Sequence, residues 1–224
     1  MVAHLSESYL IFEGRPTKDG GTDYANADEA AQTNNAIMYL FRHIEYHLSN
    51  SLFESLSYPC QETAIFGLLT YPDEFTKAQS LKQLWYKDTT TTAAKADNNR
   101  CAVMHAYLIQ SPTIKGTFFF RISLKYSFGF CEDYDKIVYD LKHSLTLVRK
   151  TDVNAIFRAA AAGAGKVSSD KISWFTPHVI PADAKNFSID KTTESKVQLQ
   201  LAYRTRQCDM LSILESTSFT WRLS

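Results

Sequence analysis

Several features that would mark a specialised class of protein are missing from this sequence. Its 24 basic and 24 acidic residues give a formal net charge of zero. This balance argues against a dedicated nucleic-acid binder, because such proteins gain affinity by neutralising phosphates. No apolar run approaches the roughly 20 residues of a membrane span, and no basic start followed by an apolar stretch indicates a signal peptide. We therefore expect a soluble intracellular protein that binds neither membrane nor specific nucleic acid.

The cysteines are few and widely spaced, at positions 60, 101, 131 and 208. No two of them lie close enough in sequence for a zinc knuckle or a redox motif. They are interpreted as unpaired thiols in a reducing compartment.

What the sequence does contain is alternation of apolar and polar residues with a period of two, which indicates strands with one buried face. The composition is that of a globular protein, with 45% hydrophobic and 13% aromatic residues. The alternation is clearest in residues 117–128, 137–147 and 196–206. Phe119 is the exception in the first range, since it is apolar on the polar side. These three ranges are predicted to be strands.

Weaker patterns add further elements. Residues 38–48 and 52–56 are predicted to form a hairpin around the turn-forming Ser49, Asn50 and Ser51. Other predicted strands are 9–12, 172–180 (an edge strand or bend, because of Pro177) and 219–223. Short helices are predicted at 61–70, 72–85 and 152–164, and long loops at 18–33 and 89–100. Strands joined by long loops with short helices predict an all-β fold, a jelly-roll β-sandwich.

An alanine- and glycine-rich stretch at residues 159–165 is the best internal boundary. We predict that residues 1–158 form most of a first jelly roll, that 159–170 form a linker, and that 171–224 are the opening strands of a second, incomplete roll. Because strand patterns begin almost at the first residue and continue to the last, we expect a piece of a longer sheet protein, or a decayed copy of one.

Candidate chemical sites are weak throughout. The run from Ala162 to Val167 resembles a phosphate-binding loop, but Ala160 and Val167 occupy the positions where that motif needs Gly and Ser or Thr. A flexible linker is the preferred interpretation of this run. No nucleophile-elbow pattern is present, and we expect no catalytic residue, no cofactor and no enzyme activity.

Two clusters could in principle hold a metal ion. His43 and His47 flank Glu45, and on a helix the two imidazoles would share a face. On the predicted strand the two positions are roughly 13 Å apart, which is too far for one metal ion. Glu132, Asp133 and Asp135 could hold calcium, but such a cluster is more often a solvated turn. No metal site is therefore predicted.

Trp85 and Tyr86 could bind a sugar or a base, although packing in the core is the preferred interpretation of both.

Certain segments resemble a family of double-jelly-roll proteins found in many invertebrate genomes, which look like major capsid proteins of Polinton/Maverick-type viruses and related DNA elements. The resemblance rests on residues 8–14, 44–50, 84–88 and, most strongly, 124–134, where Leu-Lys-x-x-Phe-Gly-Phe-x-Glu-Asp-Tyr occurs. It implies tandem jelly rolls that form trimers, with other capsid proteins as further partners. It also implies location in a virion if the chain is viral, and in the cytoplasm or nucleus otherwise.

Two hypotheses about function follow. The first is a capsid-type structural protein, truncated or domesticated, that acts through subunit contacts. The second is a jelly-roll binding module, for instance for carbohydrate, that uses Trp85, Tyr86 and nearby loops. An exposed apolar patch and trimer formation would favour the first, and a concave groove with exposed aromatic residues would favour the second.

Overall fold

The structure is a computed structural model. It describes residues 2–25, 28, 30–72, 74, 83, 85, 117–139, 141–151, 154–159, 163–180, 182, 191, 194, 195, 200–210 and 220. Outside these residues lie the predicted loop 89–100, most of the predicted helix 72–85, residues 196–199 of the predicted strand 196–206, and all of the predicted strand 219–223 except residue 220.

Antiparallel strands dominate the described part of the chain. The strands are β1 (Val2–His4), β2 (Tyr9–Lys18), β3 (Ala30–Gln32), β4 (Phe41–Leu48), β5 (Ser51–Ser57), β6 (Phe118–Ser123), β7 (Ile137–Tyr139), β8 (His143–Arg149), β9 (Ile156–Arg158) and β10 (Gly165–Phe175). Among the described residues are the α-helices α1 (Pro59–Thr70) and α2 (Gly129–Asp133), and short 3-10 turns at Leu5–Glu7, Met38–Leu40 and Leu124–Tyr126. None of the helices in the described residues is long and apolar enough to cross a membrane.

The strands form four antiparallel sheets. Two have three strands, in the orders β10-β2-β6 and β5-β4-β8, and two are pairs, β1-β7 and β3-β9. Each of these sheets contains at least one strand from the first 57 residues and at least one that follows residue 117. The first part of the chain therefore completes the sheets of the later part.

The two larger sheets share one hydrophobic core. Phe12 of β2 contacts Phe41 of β4, with ring centroids 5.6 Å apart. Tyr46, Phe120 and Leu56 are fully buried in the same cluster. Two sheets packed on a shared apolar core make a β-sandwich, so the predicted all-β class is confirmed.

The hairpin of β4 and β5 is confirmed, except that Met38–Leu40, predicted to start its first strand, form a 3-10 turn. Ser49 and Asn50 connect the strands with positive φ angles of 49° and 67°, which are the angles of a two-residue type I′ turn. The inward positions of β4 are those that the alternation predicts, since Ile44, Tyr46 and Leu48 are all buried.

Strand β2 is longer than predicted and continues through Gly14 and Pro16 to Lys18. Its pairing explains why proline is tolerated there. Pro16 pairs only with Val167 of β10, because the ladder with β6 ends at Gly14. On the β6 side, Pro16 therefore has no partner strand that would need a backbone N–H donor, which proline lacks.

The predicted strand 117–128 is correct only as far as Ser123. Beyond it, Leu124–Tyr126 form a 3-10 turn and α2 follows. The N–H groups of Ser127 and Phe128 donate to the carbonyl of Leu124, at 2.9 and 2.8 Å, so the backbone turns instead of extending. Alternation continues through this turn because Leu124 and Phe128 are still buried.

Three further predictions differ from the structure. The run 137–147 is two strands, β7 and β8, in different ladders. The predicted helix 152–164 is wrong in its described part, where Ile156–Arg158 form β9. The described residues of the predicted strand 196–206, from 200 onward, belong to no strand.

The predicted linker also differs from the structure. Residues 165–170 are the first half of β10, which pairs with β2 along its whole length and forms the edge of its sheet. The expected edge strand at 172–180 therefore begins earlier and ends at Phe175. The division into rolls at 1–158 and 171–224 stays a prediction.

Phe120 and its neighbour Phe119 provide a matched test of which side of β6 faces the core. Phe120 is 2% exposed in the core and Phe119 is 63% exposed on the opposite side of the strand. Phe120→Ala is expected to lower the free energy of unfolding by about 3–5 kcal/mol, because it removes a buried ring and leaves a cavity. Phe119→Ala is expected to change it by less than about 1 kcal/mol. Denaturant unfolding of both variants measures the difference, and equal losses would contradict the assigned facing.

Candidate functional site

Helix α1 buries polar residues and exposes apolar ones, which is the reverse of an ordinary surface helix. Its protein-facing side includes Cys60, Glu62 and Thr63, all buried. Its solvent-facing side carries Ile65, Leu68 and Leu69, which are 54%, 62% and 80% exposed. These three residues have the i, i+3, i+4 spacing of one helix face. We call Ile65, Leu68 and Leu69 the apolar face of α1.

The inner side of α1 fits closely against its neighbours. Gly67 lies under the ring of Trp85, and a Cβ atom at that position would stand 2.7 Å from the ring. Trp85 is only 4% exposed. The packing interpretation of Trp85 is therefore correct, and its face is covered by the helix rather than open to a sugar. Tyr86 lies outside the described residues.

Arg206 fixes α1 from a distant part of the sequence. Its guanidinium lies 3.8 Å from the centre of the Phe66 ring, a cation–π contact. The same group donates to the carbonyl of Tyr126 at 2.9 Å and pairs with Glu62 of α1 at 3.6 Å. The outward direction of the apolar face thus depends on a contact made by residue 206.

Glu54 of β5 is the centre of this arrangement, and it is only 2% exposed. One carboxylate oxygen accepts the N–H groups of Gly129 and Arg206, at 2.9 and 3.0 Å, and the other accepts the N–H of Phe130 at 3.0 Å. Both oxygens of this buried carboxylate therefore have backbone N–H partners. Sequence reasoning missed Glu54, although its place two residues before the buried Leu56 indicates an inward-facing acid.

Residues 203–206 form what we call the anchor segment. Tyr203 stacks on Phe53 with ring centroids 5.7 Å apart, and its hydroxyl donates to the Phe53 carbonyl at 3.0 Å. Arg204 donates to the Asp133 carboxylate from its backbone nitrogen at 2.9 Å and from Nε at 2.8 Å. The backbone N–H groups of Arg204 and Arg206 therefore bind carboxylates instead of a neighbouring strand.

The acidic cluster at 132–135 is part of the same arrangement. Asp133 pairs with Arg204, whose side chain and backbone hydrogen bonds lower the pKa of the Asp133 carboxyl to about 2. Glu132 pairs with Arg206. The cations that these two acids contact in the structure are thus arginines of the anchor segment.

The two histidines of β4 converge on the carboxylate between them. His43 Nε2 lies 2.7 Å from one oxygen of Glu45, and His47 Nε2 lies 2.9 Å from the other. Hydrogen bonds from His43 and then His47 lower the pKa of the Glu45 carboxyl. The strand assignment is confirmed, but the convergence was not predicted; it accompanies a register shift between Tyr46 and His47. The described residues contain no group of three or more His, Cys, Asp or Glu placed to hold a metal ion.

The remaining sequence candidates are structural. Gly165, Lys166 and Val167 pair with Lys18, Thr17 and Pro16 within β10 and β2. Neither the phosphate-loop nor the flexible-linker interpretation describes these three residues. Cys60 and Cys131 are free and buried, and Cys208 is free and partly exposed.

Glu54→Gln is expected to lower the free energy of unfolding by about 1–3 kcal/mol. The amide keeps one acceptor oxygen but turns an NH₂ group toward backbone N–H donors. Glu13→Gln is the matched control, because the Glu13 side chain is 40% exposed on β2, with Lys171 at 3.8 Å. It is expected to change stability by less than about 0.5 kcal/mol. Chemical denaturation of the two variants makes the comparison, and equal stability of Glu54→Gln and the unmodified chain would show that the three bonds contribute nothing.

Glu62 gives the fold a pH dependence. Burial raises the pKa of its carboxyl from 4.5 to about 7, although Arg206 opposes the shift. The folded chain therefore keeps this proton after the unfolded chain has lost it, and the resulting stabilisation is lost as the pH rises from about 4.5 to 7. We expect stability to fall by about 1–3 kcal/mol over this range from Glu62 alone.

The variant Glu62→Gln isolates that contribution. It removes the titrating proton while keeping the side chain's size, so its unfolding free energy is expected to depend less steeply on pH between 5 and 8. The difference between the two pH profiles is the measurement. Parallel profiles would mean that the Glu62 carboxyl is ionised throughout this range.

Comparison with known families identifies the fold. A family model described as the double jelly roll-like domain matches residues 83–224, which is more than half of the chain. No curated protein matches the chain. The matched range begins after α1 and includes β6 to β10 and the anchor segment. The chain therefore belongs to the double jelly roll-like domain family.

Proposed function

We propose that this protein is a capsid-type structural subunit that acts through contacts with further copies of itself, without catalytic activity. The proposal draws on the double jelly roll-like domain and on the sequence likeness to major capsid proteins of Polinton/Maverick-type elements. In this role its partners are two further copies in a trimer and other capsid proteins. Its location is the virion in a viral element, and the cytoplasm or nucleus in a domesticated one.

The apolar face of α1 is the observation that carries the proposal. A helix that exposes Ile65, Leu68 and Leu69 while turning Glu62 and Thr63 inward loses the usual gain from burying apolar surface. Contact with another subunit recovers that gain, since the centres of subunit interfaces are apolar and poor in charge. Burying each such side chain contributes about 1.5–3 kcal/mol.

Self-association tests the proposal directly. Sedimentation velocity over a range of concentrations is expected to show a trimer for the unmodified chain. The double variant Leu68→Lys with Leu69→Lys is expected to dissociate at concentrations at least tenfold higher, because it places two charges within the contact. Both positions are exposed, so the fold is expected to be kept.

The matched control is Leu52→Lys. Leu52 is a similarly exposed leucine, 55% accessible, but it lies at the hairpin end of β5, away from α1. This variant is expected to associate like the unmodified chain. A chain that stays monomeric at every concentration, or an equal effect from Leu52→Lys, would contradict the proposal.

A further inference from the structure

A cavity of about 640 Å³ is lined by residues of β8 from one of the larger sheets and of β10 from the other. Its walls come from Ala3 of β1, from the start of β8, and from the end of β10 with the residues that follow. Volumes of this size hold small organic ligands. The apolar face of α1 contributes no residue to these walls, so any role of the cavity is separate from that face.

Two ring nitrogens at the cavity have unused hydrogen-bonding capacity. The indole Nε1 of Trp174 and the Nε2 atom of His143 are both buried, and neither has a hydrogen-bond partner within the described part of the chain. Burying a polar atom without a partner is costly, so native structures rarely leave such atoms unpaired. Two of them in residues that line one cavity indicate a missing acceptor.

The hydrogen bond made by Nδ1 of His143 determines whether Nε2 carries a hydrogen. Nδ1 lies 2.7 Å from the hydroxyl oxygen of Tyr46, a fully buried residue of β4. When that hydroxyl donates to Nδ1, the hydrogen of the neutral imidazole is on Nε2. His143 and Trp174 then each carry an N–H donor without a partner among the described residues.

Lys142 is the charged side chain among the described residues that line the cavity. Lys142 and His178 line it together with His143, and the described lining residues include no aspartate or glutamate. Two imidazoles, those of His143 and His178, line this cavity. Burial lowers the pKa of His143, and the neighbouring His178 lowers it further. The rings of Trp174 and Phe175 supply flat apolar surface beside these donors.

We propose that this cavity binds a small planar ring compound that carries an anionic group. The ring would lie against the aromatic residues, and the anion would lie near the Lys142 ammonium. To donate to that anion, the indole and imidazole N–H groups, which are buried in this structure, would turn toward the cavity when the ligand binds. A neutral sugar fits less well, because its hydroxyl groups need acceptors as well as donors, and the described lining side chains include no carboxylate to accept from them.

Isothermal titration calorimetry of the whole chain tests the ligand class. The probes are benzoate, naphthalene-2-carboxylate and adenosine monophosphate as ring anions, naphthalene-2-carboxamide as the neutral isostere, and methyl glucoside as the neutral sugar. At least one ring anion is expected to bind, and naphthalene-2-carboxylate is expected to bind at least tenfold more tightly than its amide. Binding of methyl glucoside alone, equal affinity for acid and amide, or no binding by any ring anion would each overturn the proposal.

Two variants test the assigned groups. Trp174→Phe keeps an aromatic ring but removes the N–H, and Lys142→Met keeps the length of the side chain but removes the charge. Each is expected to weaken binding of the best ring anion at least fivefold. Lys136→Met is the matched control, since Lys136 is exposed and lies outside the cavity lining, and it is expected to bind normally.

Thermal melting of each variant checks that the fold is kept, so a loss of binding in a folded variant can be assigned to the altered group. Unchanged affinity in both folded variants would place the ligand elsewhere and overturn the proposal. Because the result does not depend on whether the chain forms trimers, failure here leaves the proposed function untouched, and the reverse is also true.

Discussion

The carboxylate of Glu54 joins three parts of the chain that are far apart in sequence. It lies on β5 and accepts backbone N–H groups from the start of α2 and from Arg206 of the anchor segment. Through Arg206 the same arrangement reaches α1. A buried charge of this kind is stable only while all its donors stay in place, because the interior does not solvate it as water does. The positions of β5, α2, α1 and the anchor segment are therefore interdependent.

The sequence predicted best the parts of the fold in which local chemistry and burial agree. The hairpin of β4 and β5 has alternating inward residues and a Ser49-Asn50 turn that accommodates positive φ, so pattern and backbone preference coincide. Helix α1 was predicted at nearly its true bounds, but not the direction of its faces. That direction depends on partners such as Trp85 and Arg206, and periodicity within α1 contains no information about them.

The failures share a physical cause. The range 200–206 keeps an alternating pattern, with Leu201 and Tyr203 partly buried, yet carboxylates take the place of a strand partner. Alternation reports which side chains are buried and leaves open what pairs with the backbone. At β9 the alanine-rich sequence favoured a helix, but pairing of Ile156–Arg158 with β3 outweighed this local preference. In both places a contact distant in sequence decided the backbone conformation.

The central place of β2 has a consequence for how the protein is made. Its last residue is Lys18, whereas its partner β10 begins at Gly165, about 150 residues later. At about 5–20 residues per second, a ribosome needs roughly 7–30 s to synthesise the interval. During that time the apolar side of β2, including Leu10 and Phe12, has neither β6 nor β10 beside it until each has been made. The nascent chain therefore relies on slow, non-local closure, and chaperones that hold extended apolar segments are suited to protect it until synthesis has passed Phe175.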